Sequence, residues 1–308
     1  MRTIEAVISV LNLNVQHRGA MSGVLTLGSL DPAFEGAPAV DGPVQLDLRA
    51  VDFVEPAGLC GLAALLELLT QRTEHVSLAL SGRNVAAYLE RMDFFRLFGG
   101  RVEVHPDVSS LEERERHNPG TLQELINFHT EEEIPRIINR ISEILKGKEY
   151  LLRERVAICS TLSEICANAA EHGTSSFGAF AAVQAYNHIV SGSRRAGEEV
   201  IISIADGGPG IRETLARNPQ YKDHTETDNE AIRHALEMGV SSTGELGRGG
   251  GLTLVAQISA RSGGSLSIRS GAGRVTVYRD RKNSRNVPPF PGTFVRVSLP
   301  RHAAEDRP

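Results

Sequence analysis

The sequence predicts an α/β protein built from two unequal domains, and three observations predict it. Strand-like and helix-like patterns alternate through the first hundred residues; a polar, charged break follows between Arg101 and Gly120; beyond it come long helical patterns and then strands punctuated by glycine. The 308 residues give room for two domains at roughly 150 residues each. A composition of 41% hydrophobic and 23% charged residues is that of an ordinary folded chain rather than a disordered one.

In the first part, Val44-Gln45-Leu46-Asp47-Leu48 alternates as a strand does, and Leu59 to Leu69 spaces its apolar residues as a helix. Val76–Leu80 is a second strand, and Val85 to Phe98 a second helix that stops at Gly99-Gly100. Strand, helix, strand, helix implies parallel pairing through crossover helices. Residues 1–105 therefore read as one α/β domain, with residues 1–43 unassigned. Pro106, the Glu112–Arg116 charge run and Asn118-Pro119-Gly120 mark 106–120 as a linker. Residues 121–300 form the second domain and 301–308 a tail. Two long helices are expected over Thr121–Lys146 and Glu149–Glu171, with Pro135 near a first helical turn. A strand over Val200–Ala205 follows, then an irregular stretch to Gly251, a helix from Leu252, and strands over 265–270, 275–279 and 293–299.

Composition excludes several function classes as first readings. A net charge of −5 argues against a nucleic-acid partner, which normally meets a basic face. The basic cluster Arg279, Arg281, Lys282 and Arg285 reads as a solvated loop. The longest apolar run, Leu59–Leu69, is broken by Glu67 and is shorter than the ~20 residues of a membrane span. No secretory signal pattern opens the chain, so a cytoplasmic location without membrane attachment is expected. Cys60, Cys159 and Cys166 lack the paired spacing of a zinc site and read as reduced core residues.

Three constellations carry chemistry. Glu164, Asn168 and His172 recur every four residues on one helix, which sets them ~6 Å apart along a single polar stripe. A carboxylate, a carboxamide and an imidazole in line suit a base, a cation ligand and a phosphate contact; the same stripe is also what a solvated helix face shows. The apolar strand Ile201–Ala205 then runs into Asp206-Gly207-Gly208-Pro209-Gly210, which puts a carboxylate at a strand end beside backbone open to close approach. Such an Asp can accept a hydrogen bond from an exocyclic amine, or can simply make a turn. Gly247-Arg248-Gly249-Gly250-Gly251-Leu252 opens a helix, so its N–H groups and helix dipole suit phosphates, a flexible hinge being the alternative. Its spacing is neither a Walker A loop nor a dinucleotide fingerprint.

In this order, Glu164-x-x-x-Asn168-Ala169-x-x-His172, Asp206-x-Gly208-x-Gly210 and the 247–251 loop resemble the N, G1 and G2 boxes of the GHKL ATPase superfamily. That group includes gyrase B, the ninety-kilodalton heat-shock chaperones, MutL, histidine kinases and anti-sigma-factor serine kinases. Pro291-Gly292-Thr293-Phe294-Val295 is similar to the closing Gly-Thr strand of those domains. The resemblance implies a Bergerat α/β sandwich with helices over one face of a mixed sheet, and ATP and Mg²⁺ as cofactors. It implies that Asn168 is the residue that coordinates Mg²⁺, and that Asp206 binds the adenine amine with Gly208, Gly210 and Thr293 in support. Gly249 and Gly251 would lie along the phosphates as part of a mobile lid, Gly247, Gly250 and Leu252 belong to the same nucleotide-binding group, and Glu164 would be the general base. His172 falls in the nucleotide-binding group, and Arg248 is added as a phosphate contact from its charge and place.

Within the superfamily the short His-box form resembles the anti-sigma-factor serine kinases most. His129 reads as a helix-terminal residue rather than the acceptor of a histidine kinase. Val44–Leu48, the turn Glu55-Pro56-Ala57-Gly58 and the helix after it are similar to a STAS domain, with Ala57 where phosphorylatable members carry a hydroxyl. The resemblances together imply an Mg-ATP-binding regulator, an ATPase or protein serine kinase acting by partner switching. Its partners would be proteins such as a sigma factor or a STAS antagonist, with a homodimer also open. The alternative is a non-catalytic, ATP-gated switch or scaffold.

Overall fold

The structure, a computed structural model, describes residues 8–13, 16–18, 21–108, 121–172, 178–187, 197–219, 221, 225–237 and 251–302. The chain divides into two compact units, Met1–His117 and Asn118–Pro308.

The first unit runs β1 (Ser9–Asn12), β2 (Gln16–Arg18), β3 (Met21–Leu25), α1 (Asp31–Gly36), β4 (Val44–Leu48), β5 (Phe53–Val54), α2 (Pro56–Thr70), β6 (Val76–Leu80), α3 (Arg83–Arg91), α4 (Phe94–Phe98) and β7 (Glu103–His105). A sheet of order β1-β4-β6-β7 is parallel at each pairing, as the strand–helix alternation requires. A smaller sheet, β2-β3-β5, lies in the 1–43 region left unassigned and in the turn after β4. Because α2 is apolar nearly all round, it is buried on all sides: Leu59, Cys60, Leu62, Leu65, Leu66 and Leu69 have no exposed surface. Gly58 lets α2 close on β3, since a Cβ there would lie 2.3 Å from the Leu25 carbonyl oxygen.

Two expectations for this unit are corrected. The helix over 85–98 is two helices, because Asp93 takes a left-handed conformation (φ 60°) between them. The turn it makes lets Phe94 and Phe98, with ring centroids 5.0 Å apart, be buried along with Val85 and Leu89. The polar break begins later than the composition suggests, since Glu103–His105 pairs with β6 as a short charged edge strand.

The second unit runs β8 (Leu122–Phe128), α5 (Ile134–Gly147), α6 (Leu152–His172), β9 (Ala179–Tyr186), β10 (Gly197–Asp206), α7 (Gly210–Ala216), α8 (Asp228–Ala235), α9 (Gly251–Arg261), β11 (Ser265–Val277) and β12 (Lys282–His302). The sheet order is β11-β12-β10-β9-β8, with α5, α6 and α9 over one face. Ile137, Ile141 and Ile144 of α5 and Ile158, Leu162 and Ile165 of α6 pack there against Val200, Ile202, Ile204, Val295 and Val297. This is the α/β sandwich expected, although each described pairing is antiparallel rather than mixed, because β9–β10 and β11–β12 pair as sequence neighbours.

Other corrections follow from pairing across the chain. Thr121 to Phe128, read as the start of a helix, contains β8, whose partner is β9. The helix begins only at α5, after Glu133 accepts hydrogen bonds from the backbone N–H groups of His129 (2.8 Å) and Thr130 (3.0 Å). His129 therefore follows a strand rather than ending a helix. Pro135 does sit in a first turn. The expected strands 265–270 and 275–279 are one strand bent at Ser270–Gly273, and the third belongs to the 21-residue β12. The stretch after Asp206 is not irregular throughout, since α7 and α8 form there and bury Leu215, Tyr221 and Ala231 together. Val156, expected on the apolar face of α6, is 60% exposed.

The basic residues Arg279, Arg281, Lys282 and Arg285 are exposed, at the turn of the β11–β12 hairpin and at the start of β12. The three cysteines are free; Cys60 and Cys166 are buried, and burial pushes the Cys166 thiol up to about 12. Among the described residues no helix is long and apolar enough to cross a membrane.

Candidate functional site

The site is organised by the last residue of β10. Asp206 is only 8% exposed, and its Oδ1 accepts two backbone hydrogen bonds, from Gly208 N (2.8 Å) and from Thr293 N (3.3 Å). The first closes the glycine turn after the strand; the second ties that turn to β12, whose Phe294 pairs with Ala205. Burial raises the Asp206 carboxyl from 3.8 to about 7, against the lowering effect of those two N–H groups. Both bonds fall on Oδ1, and no described residue donates to Oδ2.

Two glycines make the close approach achievable. Gly292 has φ 90°, and a Cβ there would lie 1.9 Å from the Asp206 carbonyl oxygen. Gly210 has φ 83°, and its Cβ would come to 2.8 Å from Ser270 Oγ. Ser270, buried at the bend of β11 and paired in register with Thr293, joins the pieces. Its Oγ accepts from Ile211 N (2.8 Å), donates to the Gly292 carbonyl (3.2 Å) and lies 3.3 Å from Thr293 Oγ1.

The structure thus brings Asp206, Gly208, Gly210 and Thr293 together, the grouping that the resemblance implies. Sequence reasoning missed Ser270, because a serine in a β-strand carries no local signal of a role. Gly292, by contrast, did carry a signal, since a glycine before Thr293 on a strand is the kind of residue that marks close backbone approach.

Glu164 and Asn168 stand one turn apart on the exposed side of α6, while Ile165, Cys166 and Ala169 face the core. No hydrogen bond among the described residues joins them to the Asp206 group. His172 is the last residue of α6. Gly251 and Leu252 open α9, which packs along α6 and starts beside α8, since Thr253 Oγ1 donates to the Leu236 carbonyl (2.8 Å). Leu252 packs against the core of the unit. Gly247, Arg248, Gly249 and Gly250 lie outside the described residues.

The donor chemistry fits ATP with Mg²⁺. A buried carboxylate with one oxygen saturated and the other open suits an exocyclic amine. Among the described residues no three His, Cys, Asp or Glu side chains gather to hold a metal alone.

Comparison with known proteins agrees with this chemistry. Residues 154–303, from the first turn of α6 past the end of β12, match the family described as Histidine kinase-, DNA gyrase B-, and HSP90-like ATPase. No curated protein and no solved structure matches the chain. The segment that carries the Asp206 group, the Glu164–Asn168 stripe and the start of α9 is thus similar to the ATP-binding domains of that ATPase family.

Proposed function

We propose that the chain is an Mg-ATP-binding regulatory protein that acts as an ATPase or a protein serine kinase. The observation that carries this is the buried Asp206 carboxylate, held by Gly208 N and Thr293 N on one oxygen and open on the other. In this reading Asp206 accepts from the adenine amine, with Gly208, Gly210 and Thr293 shaping the pocket around it. Asn168 holds Mg²⁺, which neutralises phosphate charge when bound. His172, Gly247, Arg248, Gly249, Gly250, Gly251 and Leu252 line the phosphate side, where backbone N–H groups at the start of α9 favour anions.

Glu164 takes the proton from the attacking oxygen of a water or a serine hydroxyl. That oxygen bonds to the γ-phosphorus, and the bond to the β-phosphate oxygen breaks to release ADP. The anti-sigma type of kinase, working by partner switching in the cytoplasm, is supported by the resemblance of the boxes. For the first unit, the order β4, turn, α2 supports a STAS-like docking or regulatory module. Ala57, in the first turn of α2, offers no hydroxyl, so a serine acceptor would belong to a partner protein.

Titration with ATP and Mg²⁺ followed by a turnover assay on the same sample tests this. Glu164→Ala is expected to bind ATP within about threefold of the parent and to lose about 100-fold in turnover. Equal turnover in the two proteins, with binding intact, would replace the enzyme by the ATP-gated switch. The exposed Glu164, which no described residue orients, is what gives that second reading weight.

A further inference from the structure

Ser270 lies outside every motif that the sequence presents, and one arrangement of protons satisfies all its partners at once. A serine hydroxyl has one proton and can accept two hydrogen bonds. Ser270 Oγ already accepts from Ile211 N at 2.8 Å, and the Gly292 carbonyl at 3.2 Å can only accept. If Ser270 spends its proton on Gly292, the 3.3 Å contact with Thr293 Oγ1 is a hydrogen bond only when Thr293 is the donor. Ser270, which is buried, then has all its partners satisfied at once. The Thr293 proton is thereby turned away from the pocket, and the oxygen that Thr293 presents there is an acceptor.

We infer that Ser270 is a specificity-determining residue of the nucleotide site: by holding the Thr293 proton it makes the floor around Asp206, to which Thr293 N is bonded, acceptor-only. Such a floor welcomes a base with an amine at its six-position and repels one with a carbonyl there. Ser270 acts through Thr293 and through Ile211 N at the start of α7, so it is a positioning residue that need not touch the base. The inference rests on the reading of Asp206 as the base-binding carboxylate.

The test compares ATP with inosine triphosphate, which carries an oxygen in place of the amine, by titration at pH 8.5 with Mg²⁺. The parent is expected to prefer ATP by about 100-fold, the scale of hydrogen bonds to a charged group. In Ser270→Ala the Thr293 hydroxyl is free to rotate and donate to a carbonyl, and the preference is expected to fall to about tenfold or less. Ser270→Thr, which keeps the hydroxyl, is expected to hold the parent preference. If Ser270→Ala weakens both nucleotides by the same factor, Ser270 is a structural brace and the inference fails. Should Ser270→Ala not fold, Thr293→Val carries the same comparison: lost preference supports the inference and retained preference overturns it. A parent that binds neither nucleotide overturns the ATP reading itself, a result distinct from equal weakening.

Discussion

Asp206→Asn is expected to abolish ATP binding and at the same time to stabilise the unliganded protein at alkaline pH. The amide keeps an oxygen for Gly208 N and Thr293 N, but puts an N–H₂ in place of the second carboxylate oxygen, so an amine donor meets another donor. Stability moves the other way because burial holds the native carboxyl near 7, whereas the unfolded chain titrates it near 3.8. Between about pH 4 and pH 7 the folded state keeps a proton that the unfolded state has lost. Stability therefore falls as pH rises through that window and is flat above it. A shift of this size bounds the effect at roughly 4 kcal/mol.

The variant cannot ionise there, so its melting temperature is expected to exceed the parent's by several degrees at pH 8 and to match it near pH 4. Parallel melting profiles across this range would show that Asp206 is not a buried titrating group. The same shift predicts that ATP affinity of the parent rises about tenfold between pH 6 and pH 8, as the competent carboxylate goes from a minor to the major form. Titrations at the two pH values read this directly.

The second large effect is expected at Gly292. A Cβ at φ 90° is strained, and here it would also stand 1.9 Å from the Asp206 carbonyl oxygen and 2.8 Å from the Gly207 Cα. Because the obstacle is backbone, β12 must move away from the end of β10. The Thr293–Asp206 bond and the Ser270–Gly292 bond are both lost with that movement. Gly292→Ala is expected to cost about 3 kcal/mol or more in denaturant unfolding of the second unit, and at least about 100-fold in ATP affinity. Gly42→Ala, where an added Cβ meets nothing within 4 Å, is the control and is expected to change stability by less than about 1 kcal/mol. A Gly292→Ala protein with the parent's midpoint and affinity would overturn the account of this close approach.

Much of the fold was legible where local pattern and tertiary role coincide. Val44–Leu48 and Val76–Leu80 alternate cleanly and are strands with those bounds. The apolar face of α6 is inside at Ile158, Leu162, Ile165 and Ala169. Where the sequence misled, a partner far along the chain won over local preference. Leu122–Phe128 has a helical pattern in isolation but lies in the sheet, because β9 supplies its hydrogen bonds. Ala179–Tyr186, four alanines in eight residues, carries no strand signal, yet sits between β8 and β10 with nearly every side chain buried. Small residues there let the helices lie close, a requirement that the segment itself does not display.

The site divides in the same way. The sequence by itself determined the chemistry: Glu164 and Asn168 share one helix face because four residues are about one turn, and Asp206 ends a strand because glycines follow it. Only the tertiary structure decided the environment. The register of β12 on β10 and β11 brings Thr293 N to Asp206 and Ser270 to Thr293, over separations of 87 and 23 residues. Burial and a raised carboxyl both follow from that register. Composition and spacing name the groups; what each group can accept or donate depends on neighbours that only the folded sheet places beside it.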